Sequence, residues 1–365
     1  MSIDLVRVFA MALMVQGHTL DVLLTPAVQA APWYNFWLFC RGFTAPTFMM
    51  LAGFSFALAT VKRWDEHLTL GPPVWKRIRR FGFFVLLGYS MRIPVHSLRD
   101  LRWVSADGWQ AFLQMDVLQT IGLTLIALEL LVVALKSKKL FAIVSGSLAM
   151  LVAFGAPLAW NSAAFNAFPL PLRSALLGTT GSNFPLLPWS AYIFLGGSLG
   201  MAYATAGAWS PRVLRNAIPV GLAFILAGIS LEKVSLALYG PGNFWPTTPH
   251  LFLTRIGFVT TIIGLASMAE RWVPFKPSSV RALAEESLVV YFVHVSLLYG
   301  SIWNPGIKQY LGGTMEFAHA YIYVLALITI MMTMAYYWNR AKKSHPIHSL
   351  AFRTAVFAVA AIAVS

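Results

Sequence analysis

The sequence predicts an all-α, polytopic membrane protein: a bundle of about ten or eleven transmembrane helices with its N-terminus in the cytoplasm. Three observations lead to this fold class. The 365-residue chain is 58% hydrophobic and only 11% charged, whereas soluble domains are about 45–50% apolar and about 25% charged. Its apolar residues fall into runs long enough for a helix to cross a bilayer. Its basic residues lie mainly in the short segments between those runs.

Windows of about 20 residues place eleven spans along the chain. They lie near 3–24, 34–60, 81–95, 111–135, 140–157, 186–206, 217–238, 250–269, 283–301, 319–338 and 350–365. The first is too long, and too polar at its end, for a removable signal peptide, so we expect it to be retained. No connecting segment is long enough for a separate soluble domain. We therefore expect one integral-membrane domain over residues 1–365, with a core of about 2–340 and a peripheral last helix.

The distribution of charge gives these spans an orientation. With a cytoplasmic N-terminus, seventeen basic residues fall on the inside: Lys62, Arg63, Lys76, Arg77, Arg79, Arg80, Lys136, Lys138, Lys139, Arg212, Arg215, Arg271, Lys276, Arg281, Arg340, Lys342 and Lys343. Five fall on the outside: Arg92, Arg99, Arg102, Arg173 and Lys308. This asymmetry is the one that cytoplasmic loops of membrane proteins show, and it predicts that the N-terminus is inside.

Composition and motifs exclude several classes of function. Cys40 is the only cysteine, which rules out an intramolecular disulfide and a multi-cysteine metal site. The net charge of +14 would suggest nucleic acid in a soluble protein, but here it fits topology and anionic headgroups. Neither the H-E-x-x-H motif of zinc hydrolases nor a P-loop occurs. We expect no nucleic-acid partner, no metal and no permanently bound cofactor.

The first span carries the residues that most clearly suggest chemistry. An ionisable group inside a membrane segment is costly and indicates a functional site by default. Arg7 and His18 are eleven residues apart, which places them about 20° apart around a helix and about 16 Å apart along it. Asp21 follows His18 by one turn and could orient the imidazole. The alternative is that His18 pairs with Asp21, and Arg7 with Asp4, only to neutralise buried charge.

Later spans supply further candidates. Arg41 lies within the second span, and we expect it to face the same cavity as His18 and Asp21. In the fourth span, Asp116 is a candidate partner for Arg41 or Arg92. Other candidates for the second shell or the substrate site are Trp189 in the sixth span, Arg255 in the eighth, and Tyr291 and His294 in the ninth. Tyr291 and His294 lie on one helical stripe with Ser287, and a hydrogen-bonded packing histidine is the alternative for His294.

The outside segments differ in character from the inside ones. The stretches 158–187, 239–249 and 302–318 are rich in Trp, Tyr, Asn, Gly and Pro. Two interpretations remain open for them. They could form the aromatic belt at the membrane interface, or their ring faces and amides could bind sugar rings.

These motifs resemble a known superfamily. The stretches S-I-D-L-V-R-V-F-A-M-A-L-M-V-Q-G-H and R-G-F-T-A-P-T-F-M-M-L-A-G-F-S are similar to the opening of the transmembrane acyltransferases, including acyltransferase family 3, whose hallmark is an arginine and a histidine on the first span. V-L-Q-T-I-G-L, F-P-L-L-P-W-S-A-Y-I-F-L-G and S-L-V-V-Y-F-V-H are more like one branch. That branch contains the catalytic region of heparan-alpha-glucosaminide N-acetyltransferase and its bacterial relatives.

The resemblance, which spans about residues 2–300, implies a helix bundle that moves an acyl group across the membrane. Arg7 matches the family arginine and His18 the family histidine. The resemblance therefore implies that Arg7 binds the acyl donor and that His18 is catalytic. Heparan-alpha-glucosaminide N-acetyltransferase itself has asparagine at the position of His18, and its active histidine lies further along the chain. The corresponding stretch here, P-A-V-Q-A-A-P-W, contains no histidine. His18 thus follows the acyltransferase family 3 pattern, and the heparan substrate is not carried over.

We therefore predict an acyl-CoA-dependent O- or N-acetyltransferase in a bacterial inner membrane. It would move an acetyl or other short acyl group from cytoplasmic acetyl-CoA to a glycan or amino-sugar acceptor outside. His18 would act as general base with Asp21 holding its tautomer, or would carry an acyl-histidine intermediate. Arg41 or Tyr291 would stabilise the oxyanion. Arg7 would bind the coenzyme, or pair with Asp4 at its entrance.

Two alternatives from other classes accompany this prediction. The chain could be a transporter or flippase for a polar metabolite or a lipid-linked sugar, in which the same intramembrane groups form a proton or substrate path. It could also be a membrane scaffold without chemistry, although the His and Arg residues inside its spans argue against that. A homodimer is kept open as the assembly state.

Overall fold

A computed structural model describes residues 1–95, 97–205, 215–240, 248–272, 276–301 and 304–344. This part of the chain is helical, with two isolated β-bridges and no strand. Its α-helices are, in chain order, α1 (Ser2–Leu23), α2 (Pro26–Gln29), α3 (Pro32–Arg41), α4 (Thr44–Val61), α5 (Pro72–Ser90), α6 (Ala106–Leu113), α7 (Val117–Leu135), α8 (Lys138–Asn161), α9 (Ala163–Asn166), α10 (Leu170–Leu176), α11 (Leu186–Thr205), α12 (Ala217–Ser230), α13 (Glu232–Tyr239), α14 (Pro249–Ala269), α15 (Pro277–Glu285), α16 (Ser287–Tyr299), α17 (Ile307–Leu311) and α18 (Phe317–Ser344). Short 3₁₀ turns cover Trp64–His67, Leu98–Trp103, Gly178–Thr180 and Glu270–Trp272.

The predicted class, an all-α polytopic membrane bundle, is confirmed. Among the described residues, six helical segments are long and apolar enough to cross a membrane, or up to eight if each of two bent helix pairs forms one span. The bent pairs are α12 with α13, at 49°, and α15 with α16, at 53°. These eight segments match eight of the eleven predicted spans.

The other three predicted spans differ in kind. The one near 81–95 is the second half of α5, whose first half carries Lys76, Arg77, Arg79 and Arg80 and is too charged for a span by composition. The one near 186–206 is α11, where glycines and polar residues lower the hydropathy. The segment 350–365 lies outside the described residues.

The chain divides into two compact units. The first consists of Met1–Thr44, Ile93–Ser105 and Ala269–Ser365, and the second of Ala45–Arg92 and Ala106–Met268. In the first unit, α1 packs against α3, α15, α16, α17 and α18. In the second unit, α11 packs against α7 and α8, and α5 packs against α7.

The bend between α15 and α16 is fixed by a buried acidic residue. Glu286 lies at the bend and is only 1% exposed. Its carboxylate accepts a hydrogen bond from Asn339 Nδ2 at 2.7 Å and pairs with Lys342 Nζ at 2.5 Å, both from α18. Asn339 Nδ2 also donates to Glu285 at 2.9 Å. A buried carboxylate is stable only with such partners, and here they fix the direction in which α16 leaves the bend.

The far end of α1 is tied to the segment that precedes α18. The amide of Gly313 donates to the Val22 carbonyl and that of Met315 to the Leu23 carbonyl, both at 2.9 Å, while Thr25 N donates to the Met315 carbonyl at 3.0 Å. The last carbonyls of a helix have no partner within the helix itself. Backbone hydrogen bonds therefore hold the end of α1 that carries His18 and Asp21 against this segment.

The core of the second unit depends on close contact between two helix backbones. A Cβ atom on Gly53 of α4 would overlap the Ile193 carbonyl oxygen of α11, and a Cβ on Gly196 would overlap the Met50 carbonyl oxygen. Small residues of this kind let membrane helices approach closely. Trp189, Tyr192 and Phe141, all nearly inaccessible to solvent, fill the surrounding core.

Candidate active site

His18 of α1 meets a second histidine, His294 of α16. His18 Nδ1 lies 2.9 Å from His294 Nε2, and the two rings meet edge to edge, with centroids 5.1 Å apart and planes 10° apart. His294 is completely buried, and its Nδ1 lies 2.6 Å from the carbonyl oxygen of Val290. Tyr291 packs edge-on against His294 at 5.9 Å, and Tyr299 packs edge-on against His18 at the same distance. The first unit thus brings His18, Tyr291 and His294 together.

Asp21 does not take the place expected for it beside His18. Its carboxylate accepts hydrogen bonds from Arg41 Nη1 and from the Tyr34 hydroxyl, the latter at 3.2 Å. Residues three apart differ by about 60° around a helix. That angle turns Asp21 toward α3, while His18 faces α16. The structure therefore corrects the expected His18–Asp21 contact.

Arg41 reaches Asp21 across the surface of α1. Gly17 and Asp21 are four residues apart and lie on one face of the helix. The Arg41 side chain crosses that face at Gly17, where an added Cβ would lie 3.0 Å from Nε and 3.2 Å from Cδ. The Arg41 guanidinium also lies over the Trp37 ring at 5.5 Å. The expected grouping of Arg41 with Asp21 is present, and both side chains are about one fifth exposed.

Arg7 and Asp4 form the expected pair near the start of α1. Their closest charged atoms, Arg7 Nη1 and Asp4 Oδ1, are 3.8 Å apart, which is longer than a hydrogen bond. Both side chains are about one fifth exposed.

Three predicted residues belong to the second unit. Asp116 is the N-cap of α7 and pairs with Arg92 Nη2 at 3.1 Å, so Arg92, and not Arg41, is its partner. Arg255, for which the sequence offered no local partner, lies with its guanidinium 5.4 Å from the Trp189 ring centroid. Arg255 Nη1 also lies 3.5 Å from the Tyr192 hydroxyl. A cation over an aromatic face is a stable arrangement for a buried arginine.

A second buried ionic group was missed by the sequence analysis. Glu129 of α7 is fully buried, and its carboxylate lies 2.6 Å from His67 Nδ1 and 3.2 Å from Arg77 Nη1. Arg77 Nη1 also donates to the Thr60 hydroxyl at 2.7 Å. The sequence alone gives no partner for Glu129. Its partners are 62 and 52 residues away, and no local spacing indicates them.

Tyr34 and Tyr299 are further site residues that sequence reasoning missed. Tyr34 follows Asp21 by thirteen residues and a turn, so no helical spacing relates the two. Tyr299 lies one position away from the stripe of Ser287, Tyr291 and His294 at the last turn of α16. Only the packing of α3 and α16 against α1 brings these rings to Asp21 and His18.

One short pattern needs its structure to be understood. Gly196-Gly197-Ser198-Leu199-Gly200 matches the G-x-S-x-G pattern of serine hydrolases, in which the serine lies on a sharp strand-to-helix turn. Here Ser198 lies inside α11, and its hydroxyl donates to the Ala142 carbonyl at 2.7 Å. The glycines serve helix packing, so the pattern forms no nucleophile elbow. Within the described residues, no group of three or more His, Cys, Asp or Glu side chains could hold a metal ion.

Comparison with known proteins identifies the family. The family described as heparan-alpha-glucosaminide N-acetyltransferase, catalytic, matches residues 1–240 of the 365. The match includes Arg7, His18, Asp21 and Arg41 but ends before His294. No curated protein matches the chain. The likeness of the first span to acyltransferase family 3 remains a prediction. The chain belongs to the heparan-alpha-glucosaminide N-acetyltransferase catalytic family, and this membership, together with the six to eight candidate spans among the described residues, indicates a multi-pass membrane acetyltransferase.

Proposed function

We propose that this protein transfers an acetyl or other short acyl group from acyl-CoA on the cytoplasmic side to a sugar amine or hydroxyl on the opposite side of a bacterial inner membrane. His18 is the general base of this reaction. The family match supports an acetyltransferase. The charge asymmetry of the loops supports the direction of transfer.

The state of the His18 ring is the observation that carries the proposal. Its Nδ1 is engaged by His294, whereas its Nε2 makes no hydrogen bond to any described residue. The side chain is only partly buried. An imidazole held at one nitrogen and open at the other has the form that a general base needs, because the open nitrogen can accept a proton from a bound acceptor.

A thioester is already activated, so the protein needs mainly to position the acceptor and to remove its proton. The acceptor nitrogen or oxygen attacks the thioester carbonyl carbon, and its proton passes to His18. The carbon–sulfur bond breaks, and the coenzyme leaves as a thiolate that takes up a proton. Asp21 accepts a hydrogen bond from Nη1 of Arg41. The proposed role of the remaining guanidinium N–H groups is to stabilise the developing oxyanion or to bind the acceptor.

Donor and acceptor are assigned to opposite ends of α1. Arg7 lies about 16 Å from His18 along the helix, a distance suited to a long donor whose phosphates meet Arg7 and whose acyl end meets His18. At the other end, Trp33 and Phe317 pack edge-on at 5.1 Å and are 41% and 42% exposed. Tyr34, next to Trp33, donates to Asp21. Exposed rings beside a polar ion pair suit the apolar faces and hydroxyls of a sugar.

The test uses purified full-length protein in lipid nanodiscs with labelled acetyl-CoA and a panel of amino sugars and cell-wall glycans. We expect the wild type to transfer the label. In His18→Gln protein the rate of transfer should fall by about 10²-fold to 10⁴-fold, the usual contribution of general base catalysis. His319→Gln is the matched control, because His319 is exposed and we expect full activity. Transfer by His18→Gln protein at the wild-type rate would contradict the proposal. Solute transport into liposomes without acyl-CoA binding would favour the transport alternative instead.

The same preparation separates direct transfer from an acyl-histidine route. Protein incubated with labelled acetyl-CoA alone is quenched and digested, and the peptide containing His18 is analysed by mass spectrometry. We expect no label on His18 if it acts as a base. A labelled His18 that forms and discharges as fast as turnover would assign the ring the nucleophilic role instead.

A further inference from the structure

The hydrogen bonds of His294 determine where the protons of the histidine pair lie. His294 Nδ1 is 2.6 Å from the Val290 carbonyl oxygen. A carbonyl oxygen can only accept, so His294 Nδ1 carries a hydrogen and donates it. His294 Nε2 faces His18 Nδ1 at 2.9 Å, and a hydrogen bond between two ring nitrogens contains one proton. That proton belongs either to His18 or to His294.

Burial decides between the two placements. If His294 Nε2 carried the shared proton, His294 would hold protons on both nitrogens and would be a cation. His294 is completely buried, and its hydrogen-bond partners within the described residues are an imidazole and backbone carbonyl oxygen, not a carboxylate. A buried charge without an opposite partner is strongly disfavoured. His294 is therefore neutral, and the shared proton belongs to His18 Nδ1.

We propose that His294 is a positioning residue that fixes His18 as the Nδ1–H tautomer, so that Nε2 of His18 is the basic nitrogen. This rests on the proposed function for the role of the base, while the tautomer itself follows from the geometry. The nearly coplanar arrangement of the two rings, with planes 10° apart, also fixes the direction in which His18 Nε2 points. When Nε2 takes a proton from the acceptor, the positive charge on His18 is stabilised through its Nδ1–H bond to His294.

His294 thereby takes the role that carboxylates or backbone carbonyls often have toward catalytic histidines. It comes from α16, which the family match over residues 1–240 does not reach. The direction of α16 is set at the bend where Glu286 is held by Asn339 and Lys342. The proposal therefore connects this bend to the chemistry of α1 through a single side chain.

The test measures the tautomer directly and independently of acyl transfer. Full-length protein labelled with ¹⁵N-histidine contains eight histidines, and the His18 signals are assigned by their absence in His18→Gln protein. We expect the wild-type His18 to show a protonated Nδ1 and an unprotonated Nε2 at neutral pH. We expect His294→Phe, which retains an aromatic ring but has no acceptor atom, to lose this preference and to lower kcat by about 10²-fold to 10⁴-fold. The KM for acetyl-CoA should change little.

A conservative variant shows whether His294 acts through its acceptor atom. In His294→Gln protein the side-chain oxygen can accept from His18 Nδ1, so we expect the tautomer and most of the activity to return. A wild-type His18 protonated at Nε2 would overturn the proposal even if the enzyme is active. So would a His294→Phe protein that keeps both the tautomer and the wild-type pH profile. If the tautomer is as proposed but His18 and His294 variants transfer acyl groups normally, the base assignment fails while the positioning geometry stands.

Discussion

The ion pair between Arg41 and Asp21 gives the most quantitative prediction, because its burial and partners are defined. The perturbation is a double-mutant cycle of Asp21→Asn, Arg41→Gln and the double variant. Asp21→Asn keeps the size of the side chain and an oxygen that Tyr34 can still reach. Arg41→Gln shortens the side chain that crosses Gly17. Each single change leaves the other member of the pair without its charge partner.

The magnitude follows from the exposure of the two side chains. Breaking a fully buried pair by removing one partner costs about 3–5 kcal/mol, and exposed pairs contribute about 0–1 kcal/mol. Arg41 and Asp21 are 19% and 23% exposed, so we expect a loss of about 2 kcal/mol in the free energy of unfolding for each single variant. The double variant should lose less than the sum, by about 1 kcal/mol or more, because it leaves no unpaired charge.

The assay is thermal unfolding in one detergent and lipid mixture, followed by tryptophan fluorescence. A loss of about 2 kcal/mol corresponds to a decrease in Tm of about 4–8 °C for a unit of 150–250 residues. Arg63→Gln is the control, since Arg63 and Glu66 are 3.7 Å apart and 70% and 48% exposed, and we expect almost no change. Additive effects in the double variant, or a decrease no larger than in Arg63→Gln, would refute this account of the pair.

Three further predictions concern other parts of the fold, with stability in the same assay as the common measurement. Glu129→Leu should lower the free energy of unfolding by about 3–5 kcal/mol, because it leaves the buried His67 and the partly buried Arg77 without their carboxylate, and Glu129→Gln should cost less. Equal stability of Glu129→Leu and wild-type protein would contradict this. Asn339→Leu should lower the free energy of unfolding by about 1–3 kcal/mol, because Glu285 and Glu286 each lose a hydrogen-bond donor, and it should also lower the rate of acyl transfer. The control, Arg340→Leu at an exposed position, should change neither stability nor acyl transfer. Gly53→Ala should greatly reduce the yield of folded protein, because the new Cβ overlaps the Ile193 carbonyl oxygen. The control, Gly82→Ala, adds a Cβ with no atom within 4 Å and should be neutral or stabilising by up to about 1 kcal/mol. A folded, stable Gly53→Ala protein would show that α4 and α11 do not touch at this position.

Much of the fold could be predicted because bilayer spans obey local rules of length and hydropathy. Eight of the predicted spans match helices or bent helix pairs that are long and apolar enough to cross a membrane. The bends inside two of them could not be predicted. Glu286 looks like an ordinary polar residue in the sequence, and only its contacts with Asn339 and Lys342, more than 50 residues away, fix a bend there. Bends depend on such distant partners, and hydropathy does not record them.

For the candidate site, the sequence selected most of the residues but not their pairing. His18, Asp21, Arg41 and His294 stand out because ionisable groups are costly within apolar helices. Helical spacing alone paired His18 with Asp21, since both lie on α1. In the structure, His18 instead makes a hydrogen bond with His294, and Asp21 makes one with Arg41, because neighbouring helices approach α1 from different sides.

The sequence by itself determined that this is an α-helical membrane protein, that α1 carries its most chemically suggestive residues, and that motifs from α1 to α16 resemble those of membrane acyltransferases. Composition, periodicity and motif order are properties of neighbouring residues, so they can be read along the chain. The partner of each polar side chain was decided only by tertiary structure. That His18 contacts a neutral histidine and not a carboxylate depends on α16, which is 276 residues from His18 at the point of contact and is brought there by packing and by the buried Glu286.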